Sequence, residues 1–149
     1  MGLLPEFFGP YIWATIHLVC LGAPSKLDEY QKQAFKIFFY QLPFIIPCGV
    51  CGTHLQENLK HNSIENALNQ GGDSLFKWSV DLHNIVNKQL NKPEISYDNA
   101  YEYWKKISEG KEEKVIVNKE KTPNILFIIF SLIIGILFGA IFIYAIKCV

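Results

Sequence analysis

From Asn124 to Ile146 the chain reads NILFIIFSLIIGILFGAIFIYAI, a run without one charged side chain. Wound as a helix at about 1.5 Å per residue, it would reach roughly 35 Å, enough to cross a hydrocarbon core about 30 Å thick. It is apolar on every face, and the rest of the chain is too small to wrap such a helix completely. A single transmembrane helix over 124–146 is therefore expected. The preceding stretch, SEGKEEKVIVNKEKT, is polar and charged, and with Pro123 as a helix entry it reads as a solvated linker over 108–123. Lys111, Lys114, Lys119 and Lys121 precede the span, whereas Lys147 alone lies in the short tail 147–149. Cytoplasmic flanks collect lysine, so the chain is expected to be a single-pass membrane protein with its N-terminal part on the cytoplasmic side. The opening MGLLPEFFGP has no basic region, and Glu6 and two prolines interrupt its apolar residues, so no signal peptide is expected. Met1-Gly2 lacks the downstream serine or threonine of a myristoylation signal.

Residues 1–107 form the expected working module. The chain carries 14 basic and 14 acidic side chains, a formal net charge of +0, and no arginine. That balance excludes the electrostatic footprint of a nucleic-acid binder. Gly9 and Pro10 introduce a helix over about 11–21, ended by Gly22-Ala23-Pro24. Ser25 can cap a second helix, roughly 26–41, which Pro43 and Pro47 are expected to stop. A third helix should run from the cysteine pair to Lys60. After a break and cap at Gly71-Gly72-Asp73-Ser74, a fourth should span 75–90, and Ser96 should cap a shorter fifth over 97–107. No segment alternates with period two. The expected class is all-α, a four-helix bundle with a short fifth helix.

The cysteines divide by position. Cys148 lies beyond the expected span, some 35 Å from the module, and cannot pair with the others in the same chain; it reads as a lipidated or idle juxtamembrane thiol. Cys20 lies three residues after His17 on an apolar helix and reads as a buried, unreactive thiol. Cys48-Gly49-Val50-Cys51 is different. Two intervening residues at a helix start let both sulfurs meet in a small ring, and the helix N-terminus favours a thiolate. Such a pair is a redox centre or half of a metal site. Zinc would recruit His54 and His61, at a spacing unlike that of ordinary zinc sites. A thioredoxin-type context would need a strand ahead of the cysteines, and Phe44-Ile45-Ile46-Pro47 is too short.

A redox pair in a helical bundle needs an electron acceptor. His83, Asn84 and Asn87 fall at i, i+1 and i+4 of the 75–90 helix, on a face that also carries Val86 and Leu90. Buried amides and imidazoles need partners, and a planar polar ligand would supply them. Gly9, Trp13 and His17, each four apart, form a matching face on the first helix, giving close approach, a flat surface and a hydrogen-bonding edge. The expectation is a flat ring between these two faces. The rival reading is a non-catalytic, tail-anchored helical scaffold whose CxxC binds zinc or staples two helices.

With G-x-x-x-W-x-x-x-H at Gly9, Trp13 and His17, P-C-x-x-C-x-x-H at Pro47 to His54, H-N-x-V-N-K at His83 to Lys88, then Leu90, Lys92-Pro93 and Trp104, the chain resembles the FAD-linked sulfhydryl oxidases of the Erv/ALR type, and is similar to their viral branch. The resemblance implies a helical bundle holding FAD, usually as a homodimer, that oxidises dithiol proteins and reduces O2 to hydrogen peroxide. It implies that Cys48 exchanges with substrate and Cys51 faces the flavin. Trp13, His17, His83, Asn84, Val86 and Asn87 would line the ring; Lys88, Lys92, Tyr103 and Trp104 would lie toward ribose, phosphates and adenine. The chain departs from the pattern in three ways. Val80 and Tyr97 occupy the positions of a structural disulfide found in many relatives, so an apolar contact is expected there. Ile46 and Pro10 replace an aromatic and a basic residue. No additional shuttle CxxC is present, so a small thioredoxin-like or glutaredoxin-like relay is expected to connect it to substrates. Because cytosolic thiols are kept reduced, a cytoplasm-facing oxidase implies a dedicated pathway.

Overall fold

The computed structural model describes residues 2–111. The expected membrane-spanning run, most of the expected linker and Cys148 lie outside the described residues. Six helices follow in order: α1 Pro5–Leu21, α2 Glu29–Ile45, α3 Gly49–His61, α4 Glu65–Gln70, α5 Gly72–Gln89 and α6 Tyr97–Ser108. The expected all-α class and its five helices are present; the six-residue α4 is an addition. Among the described residues no helix is long and apolar enough to cross a membrane.

The helix ends show where local rules give way to packing. α1 starts with Pro5 at its first position, where the missing N–H would be unbonded anyway, and runs on through Pro10. The expected start at residue 11 is thus six residues late. α2 is capped by Asp28, not Ser25: its carboxylate accepts from the Gln31 N–H at 2.8 Å, and the Gln31 side chain accepts from the Asp28 N–H at 3.0 Å. This reciprocal box satisfies two otherwise unbonded donors. Pro43 does not stop α2, which continues to Ile45. Pro43 is buried at the crossing with α3, where a Cβ on Gly52 would collide with its carbonyl. Packing at that crossing compensates for the hydrogen bond the proline removes.

Gly71-Gly72 is also no simple break. Gly71 takes φ 103°, and a Cβ there would strike the Ser25 carbonyl, while the Gly72 N–H donates to the Pro24 carbonyl at 2.9 Å. The α1–α2 loop therefore presses on the start of α5, which begins three residues earlier than expected. α1 packs along α5, α2 on α3, and α6 against both α1 and α5. The core between them holds Ile16, Phe39, Leu68, Leu75, Val80 and Leu82. Trp78 meets Phe39 edge-on at 4.6 Å and donates its indole N–H to the Asn62 carbonyl at 3.0 Å. This core fixes the α1–α5 seam on which the histidines sit.

Candidate functional site

The short Ile46–Pro47–Cys48 turn places the cysteines at the start of α3. Cys48 is the N-cap, and its Sγ accepts from the Cys51 N–H at 3.3 Å. The two cysteines are joined by a disulfide, with Cα atoms 5.3 Å apart, and both are half-buried. The pair is not sealed in the core. Phe44, Ile45 and Val50 beside it are 67%, 73% and 67% exposed. The Leu3 N–H donates to the Pro47 carbonyl at 2.9 Å, tying the first residues to this turn. His54 and His61 are exposed on α3, and no group of three or more metal-ligating side chains occurs among the described residues.

The second cluster lies in the α1–α5 seam. His17 is almost fully buried, with its Nδ1 3.0 Å from Ser79 Oγ and its Nε2 2.9 Å from His83 Nδ1. The His83 ring lies flat on the Trp13 indole, centroids 3.9 Å apart and planes 3° from parallel. Trp104 of α6 packs behind His17 at 5.0 Å, and Tyr103 meets Trp104 edge-on. Burial, assisted by His83, holds His17 down to about 3; burial, assisted by the Lys92 charge, holds His83 down to about 4. Both rings are neutral at physiological pH.

At Trp13 and His83 the two helix faces meet directly, indole on imidazole, as flat aromatic surfaces stack. Trp13 and His83 remain partly exposed, whereas His17 and Trp104 are in the layer behind them. Gly9, two turns before His17, has open space where its Cβ would be. Asn84 exchanges two hydrogen bonds with the Ile95 backbone, at 2.8 and 3.0 Å, and so pins the segment leading to α6. The Asn87 carbonyl accepts from the Lys92 N–H at 2.8 Å, turning the chain after α5, while its carboxamide makes no hydrogen bond among the described residues. Val86 is half-buried; Leu90, Lys88 and Tyr103 are exposed, and Lys88 pairs with Glu94 at 3.2 Å.

Where relatives carry a disulfide, Val80 is fully buried while Tyr97 reaches the adjacent Asp81, its hydroxyl donating to the carboxylate at 2.6 Å. That hydrogen bond pushes the Tyr97 phenol up. Sequence reasoning missed Ser79, whose signal was its place one turn before His83 on the same face.

The residues present fit a flavin dinucleotide in kind. A half-exposed aromatic pair offers a stacking surface, the Asn87 carboxamide is unpartnered among the described residues, Gly9 leaves room, and Lys92, with Lys88 paired to Glu94 at the surface, supplies a cation suited to phosphate.

Residues 10–105 match the Erv1 / Alr family. The chain is 30% identical to a probable FAD-linked sulfhydryl oxidase of Acanthamoeba polyphaga mimivirus over 109 residues, covering 73% of this chain and 76% of the relative. It is 35% identical to a putative FAD-linked sulfhydryl oxidase of Frog virus 3 over 106 residues, 64% of this chain and 65% of that protein. Among solved structures, the yeast Erv1 core shares the all-helical fold with a TM-score of 0.62 at 24% identity, over 76% of this chain and 90% of that one.

Proposed function

The chain belongs to the Erv1/Alr family, and from that premise we propose that it is an FAD-linked sulfhydryl oxidase that makes disulfides in dithiol proteins. The observation that carries the reading is the accessible Cys48–Cys51 disulfide at the N-terminus of α3. A substrate thiolate attacks Cys48 Sγ, breaking the Cys48–Cys51 bond and forming a mixed disulfide. Cys51 leaves as a thiolate that the first turn of α3 stabilises. The second substrate thiol, deprotonated, then attacks the substrate sulfur of the mixed disulfide. It releases Cys48 as a thiol or thiolate and leaves an oxidised substrate and a reduced pair. FAD, when bound, would supply a two-electron acceptor for the reduced pair, whose Cys48–Cys51 bond re-forms with release of two protons, and a route from there to O2, which those electrons and protons convert to hydrogen peroxide.

Trp13, His83 and Asn87 would meet the flavin nucleotide directly, with His17 and Trp104 supporting them from behind. Lys88, Lys92 and Tyr103 would lie toward its phosphates and adenine, and Asn84 would hold the segment that carries Lys92. The uncharged run 124–146 would anchor the module to a membrane through the linker 108–123, and the lysine distribution favours a cytoplasmic module. Dithiol proteins, virion proteins among them, would be the substrates, reached through a small dithiol relay, and a homodimer would be the working unit. The test is an absorbance spectrum of the purified full chain. Flavin bands that bleach on adding dithiothreitol without air, and return with air, are expected. A colourless preparation carrying zinc would overturn the proposal.

A further inference from the structure

Ser79 is fully buried in the middle of α5, and two of its contacts fix each other. Its Oγ lies 2.7 Å from the Phe76 carbonyl and 3.0 Å from His17 Nδ1. A carbonyl oxygen only accepts, and two oxygens that close need a hydrogen between them, so the single Ser79 hydrogen is committed to Phe76. Toward His17 the hydroxyl can then only accept, which requires the hydrogen of His17 on Nδ1. With Nδ1 protonated, neutral His17 has a bare Nε2. His83 Nδ1, 2.9 Å away, must therefore be the donor, leaving the lone pair of His83 on Nε2.

No described residue bonds that nitrogen. Among the described residues the buried side-chain nitrogen or oxygen without a partner is Asn62 Nδ2, so His83 Nε2 is open to solvent or ligand.

We propose that Ser79 is a positioning residue. Through the chain Ser79–His17–His83 it fixes both imidazoles as Nδ1–H tautomers and presents His83 Nε2 as a hydrogen-bond acceptor. The ligand group that meets it is therefore an O–H or N–H donor, such as a ribose or ribityl hydroxyl or a ring amine, and not a phosphate oxygen. A phosphate there would need His83 protonated, and burial with the Lys92 charge opposes that. The ligand clause rests on the flavin reading above; the tautomer clause does not.

Long-range proton–nitrogen spectra of the histidine-labelled full chain in detergent, at a pH above 7, read the tautomers directly. The expected result is a pyrrole-like Nδ1 and a pyridine-like Nε2 on both His17 and His83. The reverse pattern, with protonated Nε2 on both rings, overturns the proposal. Ser79→Ala, which adds no volume, should move His17 and His83 to a mixture of tautomers, and Ser79→Thr, which keeps the hydroxyl, should restore the pattern. Unchanged tautomers in Ser79→Ala overturn the role of Ser79. Adding FAD should shift His83 Nε2 upfield while both Nδ1 signals stay pyrrole-like. Its apparent Kd should weaken about two- to tenfold in Ser79→Ala, as expected when the competent tautomer is only partly populated. A chain that keeps the tautomers but takes up no FAD overturns the ligand clause together with the flavin reading. A protonated His83 Nε2 in the FAD-bound chain overturns the ligand clause alone.

Discussion

Cys20 and Cys51 carry the same side chain in opposite surroundings. Cys20 sits in the last turn of α1, fully buried, and burial pushes its thiol up to about 12 against the opposing pull of Ser79. Cys51 sits in the first turn of α3, half-buried, bonded to a cysteine that caps the helix, with exposed apolar side chains around it. In one place burial outweighs what little the surroundings offer a thiolate. In the other it supplies a helix N-terminus and access for a partner. Reactivity in this family member is thus a property of where the fold puts the sulfur.

The contrast can be broken most sharply by removing each sulfur in turn. Cys51→Ser should lower dithiothreitol-dependent oxygen consumption by on the order of 10³ or more, because no other group does its work. Cys20→Ala should keep the rate within about twofold while costing on the order of 1 kcal/mol of stability. Comparable losses in both variants would mean that Cys20 takes part in the chemistry. Next in size is alkylation of the reduced, folded chain near pH 8, followed by mass spectrometry. Cys48 and Cys51 should label, and Cys20 should lag by at least about 10³, the difference in thiolate fraction alone. Equal labelling would show that the α1 core opens freely.

Acid tests the buried side through the histidines next to Cys20. His17 and His83 have folded values of about 3 and about 4, below the ordinary 6.5 of an unfolded chain. The unfolded state therefore takes up protons first. Stability is full above about pH 6.5 and should fall toward pH 4 by about 1.4 kcal/mol per pH unit for each ring. Denaturant midpoints between pH 7 and pH 5 measure that slope, and a flat profile would mean that the rings are not buried neutral. The smallest expected effect separates the two glycines flanking Cys51. Gly52→Ala should cost about 1–3 kcal/mol, since its Cβ meets the Pro43 carbonyl. Gly49→Ala, with open space, should change stability by less than about 0.5 kcal/mol. Thermal unfolding of the two variants decides it, and equal costs would dissolve the α2–α3 crossing as the anchor of the redox turn.

Much of this was legible in residue spacing. The CxxC pair at a helix start, the aligned Trp13 and His17, and the His83–Asn87 face all follow from helical periodicity, and the structure places them on α3, α1 and α5. What local rules misjudged was decided by distant packing. Pro10 and Pro43 look like breakers, yet both lie inside helices. Ser25 resembles a cap, but its carbonyl lies where a Cβ on Gly71 would be, while Asp28 caps α2. α4 is too short to show a period. Ser79 is one polar residue on an apolar face, and nothing in its neighbours along the chain signals that His17, 62 positions away, is its partner.

The hydrogen bond from Leu3 to the Pro47 carbonyl has a practical corollary. Anything fused ahead of Leu3, whether a purification tag, a fluorophore or a natural extension, sets out from the doorstep of the reactive sulfurs. A cysteine placed in such an extension would be a tethered competitor for Cys48, and its local concentration would depend on the length of the leash.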